Sequence, residues 1–402
     1  MKFNRKTFIL SIIIIIFTVS SCFMMTGCKD KKAQQETAPE ETTEAVETTE
    51  EVPAGPNVTI LFASDYQQLN GWPAPKENLT NIIHAAKDDE KTIDKMIICG
   101  DYTNVKNRDN YQISPDESIA EIEAIANEEG IMEDNVLFVQ GNHDRMSDNL
   151  DKTGLYEYDD YLVYILGTET DFPWRQGHAS GALKKVKAAS KAMNDCFLKL
   201  VAKGETRPVI IAGHVPLHFS ARTSSKHDTG DNLYSSLIFD VVNQYAQDLD
   251  IVYLVGHNHS KGWDCYLGGS CIFKAKGDTI LIPEFKSSDV CTDTFREETI
   301  KFTYLNAGYL GYYMNCGRKE LEKGKVDQYH AADETLTGTI CEIYPNKIVL
   351  TRYDADGVHD LGSPGVPNPY KNYVDKGLIP EDYYSHEVTS PQTIKRKQKA
   401  SE

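Results

Sequence analysis

Apolar residues gather into six short runs between positions 58 and 255: Val58 to Ala63, Lys95 to Cys99, Val136 to Val139, Tyr161 to Leu166, Pro208 to Ala212 and Ile251 to Val255. Their length and their content of Val, Ile and aromatic residues read as β-strands. Between them apolar positions recur at helical spacing, which predicts helices over Pro75 to Lys87, Pro115 to Glu129, Ala182 to Ala202 and Leu233 to Gln247. After Gly256 the pattern turns mainly to strands, at Cys271 to Ala275, Thr279 to Ile282, Ile300 to Leu305, Gly338 to Ile343 and Lys347 to Tyr353. The alternation predicts a layered α/β domain over residues 58–355 whose later part adds antiparallel strands. At roughly 300 residues it is long for one core but within range for this class. Residues 356–402, rich in Pro, Tyr and Gly and closing on Lys395-Arg396-Lys397-Gln398-Lys399, read as a C-terminal extension and a frayed tail.

One apolar run has a different character. Lys2, Arg5 and Lys6 precede an unbroken stretch from Phe8 to Val19 with five consecutive isoleucines. The stretch falls short of the ~20 apolar residues of a spanning helix and reads as a secretory signal over residues 1–27. It runs into Met25-Thr26-Gly27-Cys28, which resembles the lipobox of bacterial lipoproteins, where the cysteine becomes the acylated first residue. Cys28 is the favoured lipidation site, because apolar character stops there and Lys29-Asp30-Lys31-Lys32 begins. Val19-Ser20-Ser21-Cys22 is an alternative, and a cleaved, fully secreted protein is another. Residues 28–57 then act as a spacer. From Ala33 to Asn57 it holds seven glutamates and no basic residue, too little apolar surface to offset its ordering entropy. The expectation is an extracytoplasmic protein, lipid-anchored to the bacterial cell membrane.

Charge narrows the partners. Of the net −18, the leader contributes +3, residues 28–32 +2 and the rest of the spacer −7, which leaves −16 from Val58 onward. Such an acidic domain argues against nucleic-acid polymers, which are bound through clustered Lys and Arg. Nine cysteines become seven once the leader is gone and Cys28 is acylated, so at least one thiol stays free. Cys265 and Cys271 are candidates for a hairpin disulfide, Cys99 reads as a buried thiol, and the lack of any CxxC argues against a thiolate metal site.

The chemistry lies just beyond the apolar runs, where an α/β sheet gathers its ligands. Five polar stretches sit there: Asp65-Tyr66-Gln67, Gly100-Asp101, Gly141-Asn142-His143-Asp144, Gly213-His214 and Gly256-His257-Asn258-His259. Taken singly, Asp65 and Asp101 read equally as caps and His214 as a structural histidine. The Asn142 loop is more specific, since it puts an amide oxygen, an imidazole and a carboxylate on one tight turn. Five such stretches in order point to divalent cations held by carboxylate, amide and imidazole donors. Two neighbouring ions serve in-line displacement at phosphorus, because they lower the pKa of a bridging water and neutralise the phosphoryl oxygens.

These stretches resemble the calcineurin-like metallophosphoesterase family, whose pattern is DxH, GD, GNHD or GNHE, GH and GHxH, over residues 58 to about 310. The resemblance implies two packed mixed β-sheets flanked by helices, with the site at one sheet edge, and a dinuclear centre of Mn, Fe or Zn, with Mn favoured. It implies that Asp101 bridges both ions, that Asp65, position 67 and His259 complete the first site, and that Asn142, His214 and His257 complete the second. It also places His143 near the leaving group, oriented by Asp144; there His143 is a candidate to donate a proton to the departing alkoxide or to hydrogen-bond a phosphate oxygen, and a turn cap is the lesser reading of Asp144.

The departure is Gln67, where the family pattern has histidine. An amide oxygen is a harder, weaker donor than imidazole, so the first site is expected to prefer oxygen-seeking ions such as Mn²⁺ or Mg²⁺. Arg175, His218 and Arg222, with His227 nearby, are candidate substrate contacts in loops beside the motifs, and Trp72 is a candidate stacking surface. Two functions follow: hydrolysis of a small phosphomonoester or phosphodiester through a bridging hydroxide, or a surface lipoprotein that keeps the fold for ligand or partner binding. Gln67 alone favours the second.

Overall fold

The computed structural model of the protein describes residues 55–68, 74–103, 113–144, 147–174, 176, 180–217, 233–257, 273–283, 295–311, 336–359, 361, 377 and 388–397. All belong to the compact unit Ala54–Glu402. Among the described residues, no helix is long and apolar enough to cross a membrane. Cys28, the Cys265–Cys271 pair, Trp72 and His227 lie outside the described residues.

Two mixed sheets face one another. The first joins β1 (Val58–Ala63), β2 (Lys95–Ile98) and β3 (Val136–Phe138) in parallel, then continues antiparallel from β1 through β13 (Thr337–Ile343), β14 (Lys347–Asp354) and β15 (Gly357–His359). The second runs β4 (Gly154–Glu157), β5 (Leu162–Ile165), β6 (Val209–Ala212), β7 (Ile251–Val255), β11 (Thr303–Asn306) and β8 (Phe273–Lys274), parallel from β5 to β11 and antiparallel at both margins. A separate ribbon pairs β9 (Thr279–Pro283) with β10 (Phe295–Thr299), and β12 (Gly308–Tyr309) pairs with β13.

The strand sequences explain the layering. Every residue of β1 is buried, and successive side chains alternate faces. Ile60 and Phe62 enter the core between the sheets with Ile97, Leu137, Val163, Ile210 and Val252. Leu61 and Ala63 turn outward against α1 (Ala74–Asp88) and α2 (Pro115–Glu128), meeting Leu79, Ile82, Ile83, Ile119 and Ile122. The far face of the second sheet is covered in the same way by α3 (Ala182–Ala202) and α4 (Ser235–Tyr245). Strands buried on both faces have no use for polar alternation, which is why these runs are continuously apolar. Each fully buried Ile, Leu or Phe contributes ~1.5–3 kcal/mol of transfer free energy. At α2 the start is fixed locally: Ser114 and Glu117 form a capping box and Pro115 occupies the first turn.

Two sequence expectations are corrected. The tail is not frayed at residues 392–397, since β16 (Gln392–Lys395) pairs antiparallel with β14 and Arg396 donates to the carbonyls of Tyr344 and Thr206. The extension 356–402 thus supplies β15 and β16 to the first sheet. The strand expected over Ile300 to Leu305 begins at Thr303, because the N–H groups of Ile300 and Lys301 are taken by Asp278 and Asn243 in the turn before it.

Candidate metal centre

The carboxyl ends of β1, β2, β3, β6 and β7 meet along one edge. Past the last strand pairing, β1 and β2 stay zipped: the N–H groups of Asp65, Gln67 and Gln68 donate to the carbonyls of Gly100, Asp101 and Tyr102. This alignment puts the first two motif loops side by side. Close approach needs glycines at the crossings. A Cβ on Gly141 would lie 2.2 Å from the Asp101 nitrogen, and one on Gly256 would lie 1.8 Å from Ser64 Oγ and 2.7 Å from the Cys99 carbonyl oxygen. The loops also hold strained backbone. Among the described residues five non-glycines have positive φ, and four are here: Asp65 (52°), Gln67 (46°), Asp101 (58°) and His257 (64°).

Asp101 is the hub. It is fully buried, and its Oδ1 accepts the backbone N–H of His143 at 2.9 Å. Its Oδ2 accepts no hydrogen bond and faces His214 Nε2 at 3.3 Å and His143 Nε2 at 3.8 Å. His214 is aimed from behind, because its Nδ1 lies 2.6 Å from the carbonyl of Cys99, which turns Nε2 toward the Asn142 amide oxygen at 3.1 Å and His257 Nδ1 at 3.2 Å. His257 in turn donates its backbone N–H to Asp65 Oδ2, which also accepts from Ser64 Oγ. Asp101, His214 and His257 offer ligand atoms that all lie within 4.8 Å of one another.

Asp144 sits differently from the orienting role expected of it. Its two buried oxygens accept the backbone N–H groups of Asp101, Tyr102 and Gly141 at 2.7, 2.9 and 2.7 Å. It clasps the loop after β3 to the loop after β2, so that it acts on His143 through the backbone. Gln67 is fully buried beside this arrangement, held by its N–H on Asp101 and packed against Gly311. His259, Arg175, His218 and Arg222 lie outside the described residues.

Electrostatics favour a cation here. Burial works against the charged form of Asp101, but His214, His143 and His257 outweigh it and hold the carboxyl well below its usual range. Burial likewise opposes a proton on His214, yet the Asp101 carboxylate pushes its pKa up to about 9. Burial and the Asp101 charge push Asp144 up, against the N–H groups it accepts. A buried carboxylate with an unbonded oxygen, ringed by imidazoles and an amide oxygen, is the donor set of a divalent transition ion, so the residues fit the expected metal.

Several contributors carried no motif signal. Ser64, the Cys99 carbonyl and Tyr102, whose hydroxyl donates to Ile98 and Val139, brace the ligands from within the strands. Trp174 presents its ring edge-on to His257, with centroids 6.0 Å apart. Only the adjacency of Ser64 and Tyr102 to Asp65 and Asp101 hinted at them.

Comparison with known proteins follows the same outline. A family model described as calcineurin-like phosphoesterase matches residues 58–261, just over half the chain. No curated protein matches the sequence. Among solved structures, a dimetal phosphatase from Danio rerio aligns at 11% identity and a TM-score of 0.44, covering 76% of this chain and 98% of its own. A purple acid phosphatase from seeds of yellow lupin (Lupinus luteus) aligns at 11% identity and 0.43, covering 75% of this chain and 52% of its own.

Proposed function

The chain belongs to the calcineurin-like phosphoesterase family, and from that premise we propose that it hydrolyses a small phosphomonoester or phosphodiester with the help of divalent metal ions. The observation that carries this reading is the buried hub of Asp101, with its unbonded Oδ2 faced by His214 and His143 and with Asn142 and His257 in contact with His214. In this reading Asp101, Asn142, His214 and His257 would hold one ion, and Asp101, Asp65, Gln67 and His259 would hold the other. When bound, such ions supply a hydroxide nucleophile near neutral pH and neutralise the phosphoryl oxygens.

The remaining work falls to the chain. His143, with its side chain 3% exposed and its N–H fixed on Asp101, donates a proton to the departing oxygen. Asp144 keeps that histidine in place by clasping the loops. Trp174, beside His257, excludes water from one side. Arg175, His218 and Arg222 contact the substrate phosphate or leaving group. Cys28 carries the lipid that anchors the protein outside the cytoplasm at the bacterial cell membrane, with residues 28–57 as its tether. No nucleic-acid polymer is a partner.

A second reading, ligand binding without turnover, draws on Gln67 at a ligand position. Hydrolysis of p-nitrophenyl phosphate and of bis(p-nitrophenyl) phosphate by Mn²⁺-loaded protein separates the two. Turnover of either supports the enzyme; metal bound with no turnover of both leaves the binding reading.

A further inference from the structure

The opposite edge of the molecule gathers lysines, with Asp248 and Asp250 close to Lys397. Strands β6, β7 and β11 run parallel, so their first residues gather away from His214 and His257, by about 15 Å along a five-residue strand. There a shallow open cleft is lined by Lys276, Lys301, Lys395 and Lys397, with Asp250 the one carboxylate among its lining residues. Its floor is apolar, including Phe302 and Ile348, which are 2% and 1% exposed.

The four lysines are not alike. Lys397 is committed: its ammonium donates to the carbonyls of Ala246 and Leu249 at the end of α4, both at 2.8 Å, and its N–H takes Asp250 Oδ2. Burial first, and the nearby Lys276 charge, lower its pKa against the pull of Asp250. Lys276, Lys301 and Lys395 make no ion pair among the described residues, although Lys276 and Lys395 are exposed and Lys301 is half-buried. Three lysines without an ion pair among the described residues line one cleft of a domain of charge −16, which gathers positive charge there beside Asp248 and Asp250.

We propose that this cleft binds a phosphate-bearing anion, gripped by Lys276, Lys301 and Lys395 over the apolar floor with Lys397 as its fixed rear wall. Two sources share that chemistry: the headgroup of an anionic phospholipid and a free phosphate. Position favours the headgroup. Asn57, where the spacer joins β1, bonds to Ile343 at this same edge, and Arg396 bonds to the neighbouring Tyr344. On the proposed reading of Cys28, a chain that leaves the domain at this edge brings the cleft within reach of the anionic surface that holds the anchor. The cleft itself does not depend on the phosphoesterase reading.

The test uses the mature chain from Cys28 onward, without its lipid so that vesicle binding reports the cleft and not the anchor, and treated with chelator so that the metal centre takes up no phosphate, alongside the K276E/K301E/K395E variant. Both are titrated with inorganic phosphate by calorimetry and floated with vesicles of phosphatidylcholine, alone or mixed with phosphatidylglycerol. A K184E/K187E/K191E variant on the solvent face of α3 controls for net charge. The expected result is salt-sensitive binding that the cleft variant weakens on the order of a hundredfold and the α3 variant leaves unchanged. Preference for phosphatidylglycerol vesicles identifies a headgroup, and phosphate heat without it identifies a free anion. Equal binding by wild type and cleft variant in both arms, or equal loss in both variants, overturns the proposal. K276Q/K301Q/K395Q, which removes charge without reversing it, repeats the test if the first variant misfolds.

Discussion

The carboxylate of Asp144 accepts the backbone N–H of Asp101 at 2.7 Å, across 43 positions of chain. With Tyr102 and Gly141 it holds three N–H donors, and an amide in its place offers one acceptor oxygen and a conflicting donor. Asp144→Asn is therefore expected to cost about 1–3 kcal/mol of stability in chelator. Urea unfolding measures it, and an unchanged midpoint would restrict Asp144 to the chemical step.

Two glycines at strand ends should respond in opposite ways. Gly256→Ala drives a methyl into Ser64 Oγ and the Cys99 carbonyl, whereas a Cβ on Gly213 meets nothing nearer than 3.6 Å. The first substitution is expected to lose about 3 kcal/mol and most metal affinity, the second to stay within about 1 kcal/mol of wild type. Thermal unfolding with metal titration calorimetry reads both.

The proton donation proposed for His143 matters most for poor leaving groups. His143→Ala is expected to keep metal stoichiometry while lowering kcat on alkyl phosphates about 10²-fold or more, with a smaller effect on p-nitrophenyl esters. Equal losses on both substrates would remove His143 from the proton transfer.

A role for Gln67 as a ligand of the proposed first site makes it the residue that sets the choice of ion there. Gln67→His replaces a hard amide oxygen with imidazole, and is expected to tighten Zn²⁺ at least tenfold relative to Mn²⁺. Competition titrations of the chelated protein report the ratio without any assay of turnover. An unaltered ratio means that Gln67 does not coordinate.

Away from the centre, hydrogen bonds from Arg207 push the Glu205 pKa down to about 2, against an opposing contribution from burial. A depressed folded pKa contributes stability above the unfolded value of ~4.3, which is lost as pH falls from there toward 2. Partial solvent exposure of the cluster, which includes Glu157, limits this to about 1 kcal/mol. Glu205→Gln should thus lower stability by that amount at neutral pH, with the gap closing in acid unfolding curves.

The strands that carry the ligands were legible because they are buried on both faces and therefore read as unbroken apolar runs. Those missed have other surroundings. Among the described residues Phe295–Thr299 pairs only with Thr279–Pro283, and it holds Arg and Glu, while Gln392–Lys395 is an edge strand of alternating exposure. Gly308–Tyr309 is two residues long. In the site, the ligand types stood out as polar residues at strand ends, but the supports did not. Cys99 acts through its carbonyl, which no side-chain pattern announces, and Asp144 acts on backbone N–H groups that only the fold brings near it.

Four positions at the candidate centre, Asp65, Gln67, Asp101 and His257, hold the left-handed conformation that suits glycine. Each such residue costs about 1–2 kcal/mol relative to an ordinary backbone. Summed over four, that is comparable to a large share of the stability of a typical domain. The surrounding sandwich therefore acts as a spring clamp: its two cores hold the loops in a shape they would not keep alone. Weakening those cores far from the edge should loosen the grip on metal before the domain unfolds.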